Sequence, residues 1–192
     1  PTVALETDSG SDTSDGLTNS ATVALTGLET TATWQYSTDS GTTWNTGTGT
    51  SFNLPAGSYS ADQVQVRQTD VAGNTSLVLA SSKAGAITID TTAPSALSLT
   101  LNDDSGSKTA DGLSNAATVN VSGLDTDTRW QYSLDNGQTW NDGTDSSFDL
   151  ERSVQGSQTV QVRQTDLAGN TSTSASTQFT LDTAAPTVLS TT

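Results

Sequence analysis

The chain has 192 residues, of which 31% are hydrophobic, and it carries 21 acidic against 6 basic side chains, a net charge of −15. It contains neither Cys nor His, which excludes disulfide bonds, thiolate metal sites and an imidazole base near neutral pH. The negative charge repels nucleic acid and anionic membranes, and no apolar run is long enough to span a bilayer, so we expect neither a nucleic-acid partner nor direct membrane insertion.

Apolar residues alternate along the first half of the chain. In chain order the alternating pairs are Val3 and Leu5, Val23 and Leu25, Trp34 and Tyr36, Phe52 and Leu54, Val64 and Val66, and Ile87 and Ile89. This period of two predicts short antiparallel strands, and no stretch has a helical periodicity.

The sequence then repeats. Residues 8–74 align without a gap with residues 104–170, and 39 of these 67 positions are identical. We therefore predict two domains, residues 1–93 and residues 94–192. Roughly seven short strands in each repeat, separated by frequent turn residues, predict an all-β fold of two tandem immunoglobulin-like Greek-key β-sandwich domains. Trp34 and its equivalent Trp130 are expected in the two cores.

Short motifs predict turns and linkers between these strands. Asp39-Ser40-Gly41 and Asp135-Asn136-Gly137 each stand between a strand and a second Trp, where Asp or Asn followed by Gly favours a tight hairpin. The stretches DTTAP and DTAAP each end a strand, since Pro cannot continue it. The first of them, residues 90–94, is the short proline-containing linker between the domains.

Four blocks of the sequence carry a family resemblance: DSGSDTSDGLTN, WQYSTDSGTTW, VRQTDVAGNTS and DTTAP. Together they resemble the tandem bacterial immunoglobulin-like extender repeats of giant secreted adhesins, including biofilm-associated and RTX-type adhesins. The resemblance covers nearly the whole of both repeats. It implies a stalk that projects an adhesive tip in attachment and biofilm formation, stiffening by calcium at the junctions, an extracellular location on the bacterial surface, and type I secretion. The opening residues carry no signal-peptide pattern, so we expect a piece of a longer protein.

Calcium binds about six to eight oxygen ligands, so several carboxylates have to converge. The positions that are acidic in both repeats are Asp8/Asp104, Asp15/Asp111, Glu29/Asp125, Asp39/Asp135, Asp70/Asp166 and Asp90/Asp182. Asp62 aligns with Gln158 and Asp12 with Lys108, so neither is expected to be an obligatory ligand. We assign Asp39 and Asp135 to their hairpin turns and keep the other pairs as metal candidates.

The loops of a sandwich gather at two poles. In the first repeat we expect Glu29, Asp70 and Asn74 where the chain enters, and Asp8 and Asp15 beside Asp90 where it leaves. In the second repeat, the entry pole is expected to hold Asp125, Asp127, Asp166 and Asn170, and the exit pole Asp104, Asp111 and Asp182. We therefore predict a calcium site at the junction, formed by Asp90 with Asp125, Asp127, Asp166 and Asn170.

Both acidic motifs also have a simpler interpretation. In TDVAGN the Asp can cap a turn in which Gly and Asn are left-handed, and DSGSDTSDG can be a polar turn closed by Asx hydrogen bonds. The alternative for the second motif is a calcium loop that binds through Asp8, Asp15 and backbone carbonyls.

Two classes of function remain open. The leading hypothesis is a monomeric structural extender whose partners are neighbouring repeats of the same chain. The rival is a calcium-dependent module that binds a glycan or a protein ligand through exposed aromatic side chains, namely Trp44, Trp140 and Tyr59. An enzyme would need paired carboxylates about 5–10 Å apart in a cleft, which a small sandwich does not offer, so we expect no catalytic activity.

Overall fold

The computed structural model describes residues 1–76, 79–80, 86–151 and 156–187. All regular elements among these residues are β-strands. No helix in this part of the chain has the length and the apolar composition needed to cross a membrane.

The chain divides into two compact units. Unit 1 comprises Pro1–Thr92 together with Asp166–Asn170, and unit 2 comprises Ala93–Thr165 together with Thr171–Thr192. The division after Thr92 lies one residue before the boundary expected from the repeat. The segment Asp166–Asn170, which the sequence assigns to the second repeat, groups with unit 1.

Ten short strands lie in the described residues of unit 1. They are β1 (Thr2–Leu5), β2 (Leu17–Thr18), β3 (Thr22–Thr26), β4 (Thr33–Ser37), β5 (Asn45–Thr46), β6 (Ser51–Asn53), β7 (Gly57–Tyr59), β8 (Gln65–Thr69), β9 (Leu79–Ala80) and β10 (Ile87–Ile89). One sheet has the strand order β1-β3-β6, and the rest of the unit forms the sheets β2-β10-β7 and β5-β4-β8-β9. The pair β2 and β10 is parallel and the other pairs are antiparallel.

Eight strands lie in the described residues of unit 2. They are β11 (Ser98–Leu101), β12 (Leu113–Ser114), β13 (Thr118–Ser122), β14 (Arg129–Ser133), β15 (Asn141–Asp142), β16 (Ser147–Asp149), β17 (Gly156–Thr165) and β18 (Ala175–Leu181). They form the sheets β11-β13-β16 and β12-β18-β17-β14-β15. Neighbours in sequence, such as β13 and β14, lie in different sheets. This crossing between layers is the predicted immunoglobulin-like sandwich, which is confirmed.

The period-two pattern places the predicted residues in the cores. Val23 and Val66 are fully buried in unit 1, and Trp34 is 5% exposed. The indole Nε1 of Trp34 donates to Gly49 O at 3.0 Å, so its polar atom is paired inside the core. Trp130 is equally buried in unit 2, and both predicted core Trp residues are confirmed.

The units differ in the strand that precedes the turn of sequence TDVAGN in unit 1 and TDLAGN in the second repeat. In unit 1 a turn at Ser60–Gln63, with Asp62 left-handed at φ 66°, separates β7 from β8. In unit 2 the corresponding strand β17 continues for 10 residues. Tyr59 pairs with Ile87 of β10, and Gln158 has the equivalent position in unit 2, where it pairs with Phe179 of β18. The gap-free alignment of Asp62 with Gln158 is therefore wrong, because the turn adds residues that the alignment does not account for.

Candidate functional site

The acidic loop between the first two strands of each unit is closed by its own carboxylates. Asp15 Oδ1 accepts a hydrogen bond from Leu17 N at 2.9 Å. In unit 2, Asp111 Oδ1 accepts from Leu113 N at 3.1 Å. These are Asx turns, so the simpler interpretation of DSGSDTSDG is confirmed. These turns use Oδ1 of each carboxylate, so Oδ2 could still bind a cation. The alternative of a calcium loop stays a prediction.

The aspartate that opens this loop has one buried oxygen without a partner. Asp8 Oδ2 accepts from Gly16 N at 3.0 Å, and Asp104 Oδ2 accepts from Gly112 N at 3.2 Å. Oδ1 of both residues is buried and has no hydrogen-bond partner among the described residues. A buried charged oxygen without a donor is destabilising, and a hard cation would remove the penalty. On this observation, Asp8 and Asp104 fit the calcium that the resemblance implies.

The Asp that ends the last strand lies beside the end of this loop in both units. The N of Asp90 donates to Thr18 O at 2.9 Å, and the N of Asp182 donates to Ser114 O at 3.0 Å. This Asp therefore lies beside the short strand that follows the acidic loop, and its predicted grouping with Asp8 and Asp15, or with Asp104 and Asp111, stays a prediction. The carboxylates have a further role, since Asp90 Oδ1 accepts from the N of Thr92 and Asp182 Oδ1 accepts from Ala184 N, each at 2.9 Å. They fix the first residues of the proline-containing stretches.

The other predicted pole also assembles in unit 1. Glu29, Asp70 and Asn74 line one cavity of about 170 Å³. The N of Glu29 donates to Oε1 of Gln68 at 2.9 Å, which fixes the loop after β3 against the end of β8. The grouping expected from the sandwich topology is confirmed.

TDVAGN is a capped turn. The carboxylate of Asp70 accepts from Asn74 N and from Asn74 Nδ2, each at 2.8 Å. These two bonds, the side-chain bond first, lower the pKa of Asp70. Gly73 is left-handed at φ 89°, whereas Asn74 is not among the residues with positive φ. The turn interpretation is confirmed, except that only one of the two expected residues is left-handed.

Unit 2 holds its loop after β13 through a side chain that the sequence reasoning missed. Gln164 is fully buried. Its Oε1 accepts from Asp125 N at 3.0 Å, and its Nε2 donates to Ser95 O at 2.8 Å and to Gly123 O at 3.1 Å. Gln164 has the same parity as the core residue Val162, so the strand pattern could have indicated that it points inward.

The carboxylate of Asp125 is already used inside unit 2. Its Oδ2 accepts from Ser95 N at 2.9 Å and from Gln164 Nε2 at 3.2 Å. Asp127 lies in the same loop in a left-handed conformation, with φ 57°. Asp is one of the few side chains that adopt this conformation readily. Both residues therefore have a structural role in this loop.

The segment Asp166–Asn170 is a second copy of the capped turn, and in unit 1 it is docked on the acidic loop. The N of Ser11 donates to Leu167 O, and the N of Asn19 donates to Ala168 O, each at 3.2 Å. The hydroxyl Oγ of Ser9 lies 2.8 Å from Ala168 O. Ala168 is 1% exposed. We call Asp166–Asn170 the docked turn and residues 9–19 the first receptor loop.

Three residues of the predicted junction site come together in unit 1. Asn170 Nδ2 donates to Asp90 O at 2.8 Å and to Asp166 Oδ2 at 2.9 Å. Asp125 and Asp127 belong to unit 2, and the five-residue calcium site stays a prediction. In the described part of the chain, no group of three or more acidic side chains is arranged so that it could hold a metal ion.

The hairpin residues Asp39 and Asp135 are turn caps, as predicted. Asp39 Oδ1 accepts from Thr43 N at 2.8 Å, and Asp135 Oδ1 accepts from Thr139 N at the same distance. The hydroxyl bond from Thr43 is the largest of several hydrogen bonds that lower the pKa of Asp39 to about 2. The corresponding bonds from Thr139 lower the pKa of Asp135 to about 2.

The aromatic side chains that the rival hypothesis assigns to ligand binding are largely covered. The guanidinium carbon of Arg67 lies 4.1 Å from the ring centre of Trp44, and that of Arg163 lies 4.0 Å from Trp140. Both Trp residues are half-buried. Tyr59 is 9% exposed and donates its hydroxyl to a backbone carbonyl at 2.9 Å. The expected exposure is wrong for Tyr59, because its ring fills the core, and one ring face of each Trp is occupied by Arg.

Comparison with known proteins gives one family match. Residues 92–183 match the family described as a bacterial Ig-like domain. A search of curated proteins finds no match.

Several solved structures are similar. The fibronectin(III)-like modules of CbhA from Clostridium thermocellum have a TM-score of 0.49 at 11% identity, with 83% of this chain and 84% of that chain covered. The FN1–FN3 domains of chicken CNTN1 have a TM-score of 0.46 at 14% identity, with 94% and 68% covered. A tetra-tandem repeat in the extending region of a large adhesion protein has a TM-score of 0.30 at 18% identity, with 95% and 49% covered.

Proposed function

We propose that the chain is a pair of extender repeats in the stalk of a bacterial surface adhesin, because residues 92–183 match the family described as a bacterial Ig-like domain and unit 1 repeats the fold of unit 2. The role needs no catalytic group. The partners of each repeat are the neighbouring repeats of the same chain. The proposal includes the extracellular location and the type I secretion that the sequence resemblance implies.

The observation that carries this proposal is the equality of the two repeats. The rings of Tyr36 and Phe52 stack at 4.3 Å between centres in unit 1, and those of Tyr132 and Phe148 stack at 4.2 Å in unit 2. The hairpin caps and the Arg–Trp pairs are also duplicated. A solenoid-like array needs copies that are alike, because each copy performs the same task toward its neighbours. A duplicated binding module would gain avidity from two equal copies, and the replacement experiment below separates that role from a spacer.

A replacement experiment distinguishes a spacer from a binding module. In the protein that contains this segment, residues 1–192 are deleted, or replaced by two immunoglobulin-like domains of equal length and unrelated surface. Adhesion of the bacteria to the surface on which they form a biofilm is then measured. We expect the deletion to weaken adhesion and the unrelated pair to restore it. Failure of the unrelated pair, together with rescue by the original segment, would contradict the extender role and favour ligand binding.

Calcium is part of the proposal. The candidate ligands supported best are Asp8 and Asp104, whose buried Oδ1 atoms lack a donor, with Asp15 and Asp111 in the same loops. Carboxylate and backbone oxygens of this kind are the ligands that Ca²⁺ prefers. Bound calcium would neutralise these loops and so stiffen each repeat.

The calcium proposal has its own test. Chelator is expected to lower the melting temperature of the chain, because a ligand that binds only the folded state stabilises it by about 2.7 kcal/mol at a hundredfold excess over Kd. The variant Asp104→Asn should lose part of this response. Asp103→Asn, which makes the same charge change at an exposed neighbour, should keep it. An unchanged melting temperature in chelator would rule out the metal.

A further inference from the structure

The chain contains a second capped turn, Asp70–Asn74, that has the shape of the docked turn but is exposed. In both turns the Asp N donates to the Asn O at 3.0 Å, and the Asn N donates to the Asp Oδ1 at 2.8 Å. Val71 is 82% exposed against 43% for Leu167. No hydrogen bond from the described residues reaches Val71 O or Ala72 O. We call Asp70–Asn74 the exposed turn.

The chain also contains a second copy of the receptor loop, residues 105–115 in unit 2. The N of Asn115 donates to Ser105 Oγ at 2.9 Å, as the N of Asn19 does to Ser9 Oγ at 2.9 Å. A Cβ on Gly10 would lie 2.0 Å from Leu167 O, whereas a Cβ on Gly106 would meet no described atom within 4 Å. The second receptor loop therefore has the geometry of the first, with open space where the docked turn lies.

We propose that the exposed turn and the second receptor loop are complementary docking surfaces, each of which binds another immunoglobulin-like repeat. The occupant of the second receptor loop is a turn of the sequence Asp-x-Ala-Gly-Asn. The exposed turn is such a segment, and it docks on the receptor loop of a different repeat. This deepens the proposed function, on which it rests, by naming the surface through which one extender repeat holds the next.

The contacts of the docked turn explain why this particular sequence is recognised. Ala168 is 1% exposed, so a larger side chain has no room. Its carbonyl and that of Leu167 accept from two backbone N–H groups of the first receptor loop, and the Asn170 amide donates to Asp90 O. In unit 2 the corresponding donors are the backbone N–H groups of residues 107 and 115, and the corresponding acceptor is the carbonyl of residue 182. Position x is less restricted, since Leu167 stays 43% exposed, in agreement with Val in one turn and Leu in the other.

Nuclear magnetic resonance with the full chain as its own partner tests the proposal. Isotope-labelled chain is mixed with unlabelled chain up to about 2 mM, which matches the local concentration that neighbouring repeats have in one polypeptide. Chelator is present throughout, so that metal bridging cannot cause the effect. Because the net charge of −15 repels other copies, the buffer contains about 0.3 M NaCl to screen it.

The expected result is a concentration-dependent shift of the amides of Ser107 and Asn115 and of the exposed turn. The variant Ala72→Gln should abolish the shift at Ser107 and Asn115, because the buried Ala position cannot accept the longer side chain. The control Thr48→Gln, at an exposed residue of the same unit, should leave it intact.

Three outcomes would overturn the proposal: no shift at Ser107 and Asn115 at the highest concentration, equal shifts in Ala72→Gln and in the wild-type chain, or shifts confined to other surfaces. None of these would touch the extender role, since the replacement experiment measures adhesion and does not depend on how repeats contact one another. The two proposals can therefore fail separately.

Discussion

Gly10 lies against the backbone of Leu167 so closely that an added Cβ would be 2.0 Å from the carbonyl oxygen. Gly10→Ala should therefore displace the docked turn from the first receptor loop. The matched control is Gly106→Ala, which has a similar positive φ, 114° against 104°, but no neighbour in the way.

Both substitutions carry a backbone strain of about 1–3 kcal/mol, because L side chains rarely adopt such φ values. We expect Gly10→Ala to cost more than Gly106→Ala in urea denaturation. In Gly10→Ala the amide of Ser11 should also exchange with solvent faster, because it loses its acceptor, Leu167 O, on the docked turn. Equal costs and unchanged exchange in the two variants would show that the docked turn contributes no stability.

The buried side-chain amide of Gln164 should contribute more to the free energy of unfolding than that of Gln68, its equivalent in unit 1. Gln164→Leu leaves three backbone groups without their partner: the N of Asp125 and the carbonyls of Gly123 and Ser95. Asp125, Gly123 and Ser95 are exposed residues, so water can replace part of each lost bond. At about 1 kcal/mol for each hydrogen bond, we expect a loss of about 1–3 kcal/mol in the free energy of unfolding.

Gln68→Leu is the comparison. Gln68 accepts from the N of Glu29 at 2.9 Å and reaches Gly27 O only at 3.5 Å. We expect it to be clearly less destabilising than Gln164→Leu in the same chemical denaturation. The reverse order would contradict the assignment of Gln164 as the main support of the loop after β13.

A glycine keeps the core Trp of unit 2 in place. A Cβ on Gly143 would lie 2.0 Å from the ring of Trp130, so Gly143→Ala forces the indole out of position. Overpacking of this kind costs about 1–3 kcal/mol, and the loss should appear in thermal unfolding together with a changed Trp fluorescence. Thr144→Ala, at the exposed next residue, should leave both signals as they are. A stable Gly143→Ala variant with unchanged fluorescence would mean that the loop can move away.

Stability should depend on pH in the acid range through the hairpin caps. The pKa of Asp39 and that of Asp135 fall from 3.8 to about 2 on folding. A lowered pKa gives a stabilisation that is complete above the unfolded value and is lost as the pH falls through the folded value. We therefore expect the denaturation midpoint to decrease between pH values of about 4 and 2.

Carbon-13 shifts of the Asp carboxyl groups measure these two pKa values directly. In Asp135→Asn, the part of the acid destabilisation that comes from Asp135 should be absent. Carboxyl groups that titrate near 3.8 in the folded chain would contradict the capping role.

Local patterns were sufficient to predict an all-β fold and most of the apolar core, although not the burial of Tyr59 and Gln164. The alternation at Val64 and Val66 reports which face of a strand is apolar, and the Trp residues needed no further context. The positions of Asp70 and Asp90 at opposite poles followed from strand connectivity alone.

The docked turn could not be predicted in the same way. Asp166–Asn170 and Asp70–Asn74 are nearly identical in sequence, so no local pattern indicates that Ala168 is buried and Ala72 exposed. Ala168 is buried because the first receptor loop covers it, and the sequence of the turn itself does not indicate that contact. The turn at Ser60–Gln63 was missed for a related reason. An alignment without gaps pairs residues by their number along the chain, and it does not show that Tyr59 and Gln158 have equivalent positions in their strands.

The parallel pairing of the second and last strands has a mechanical consequence. In unit 1, Thr88 N donates to Gly16 O at 2.8 Å, close to the point where the chain leaves the sandwich, and in unit 2 Thr180 N donates to Gly112 O at 2.7 Å. Tension applied through the two ends of a repeat pulls these parallel strands in opposite directions along their length. The bonds are then loaded in shear and have to break together, whereas bonds pulled open from one end break one at a time. Each sandwich should therefore resist stretching at this parallel pair of strands, whatever its thermal stability.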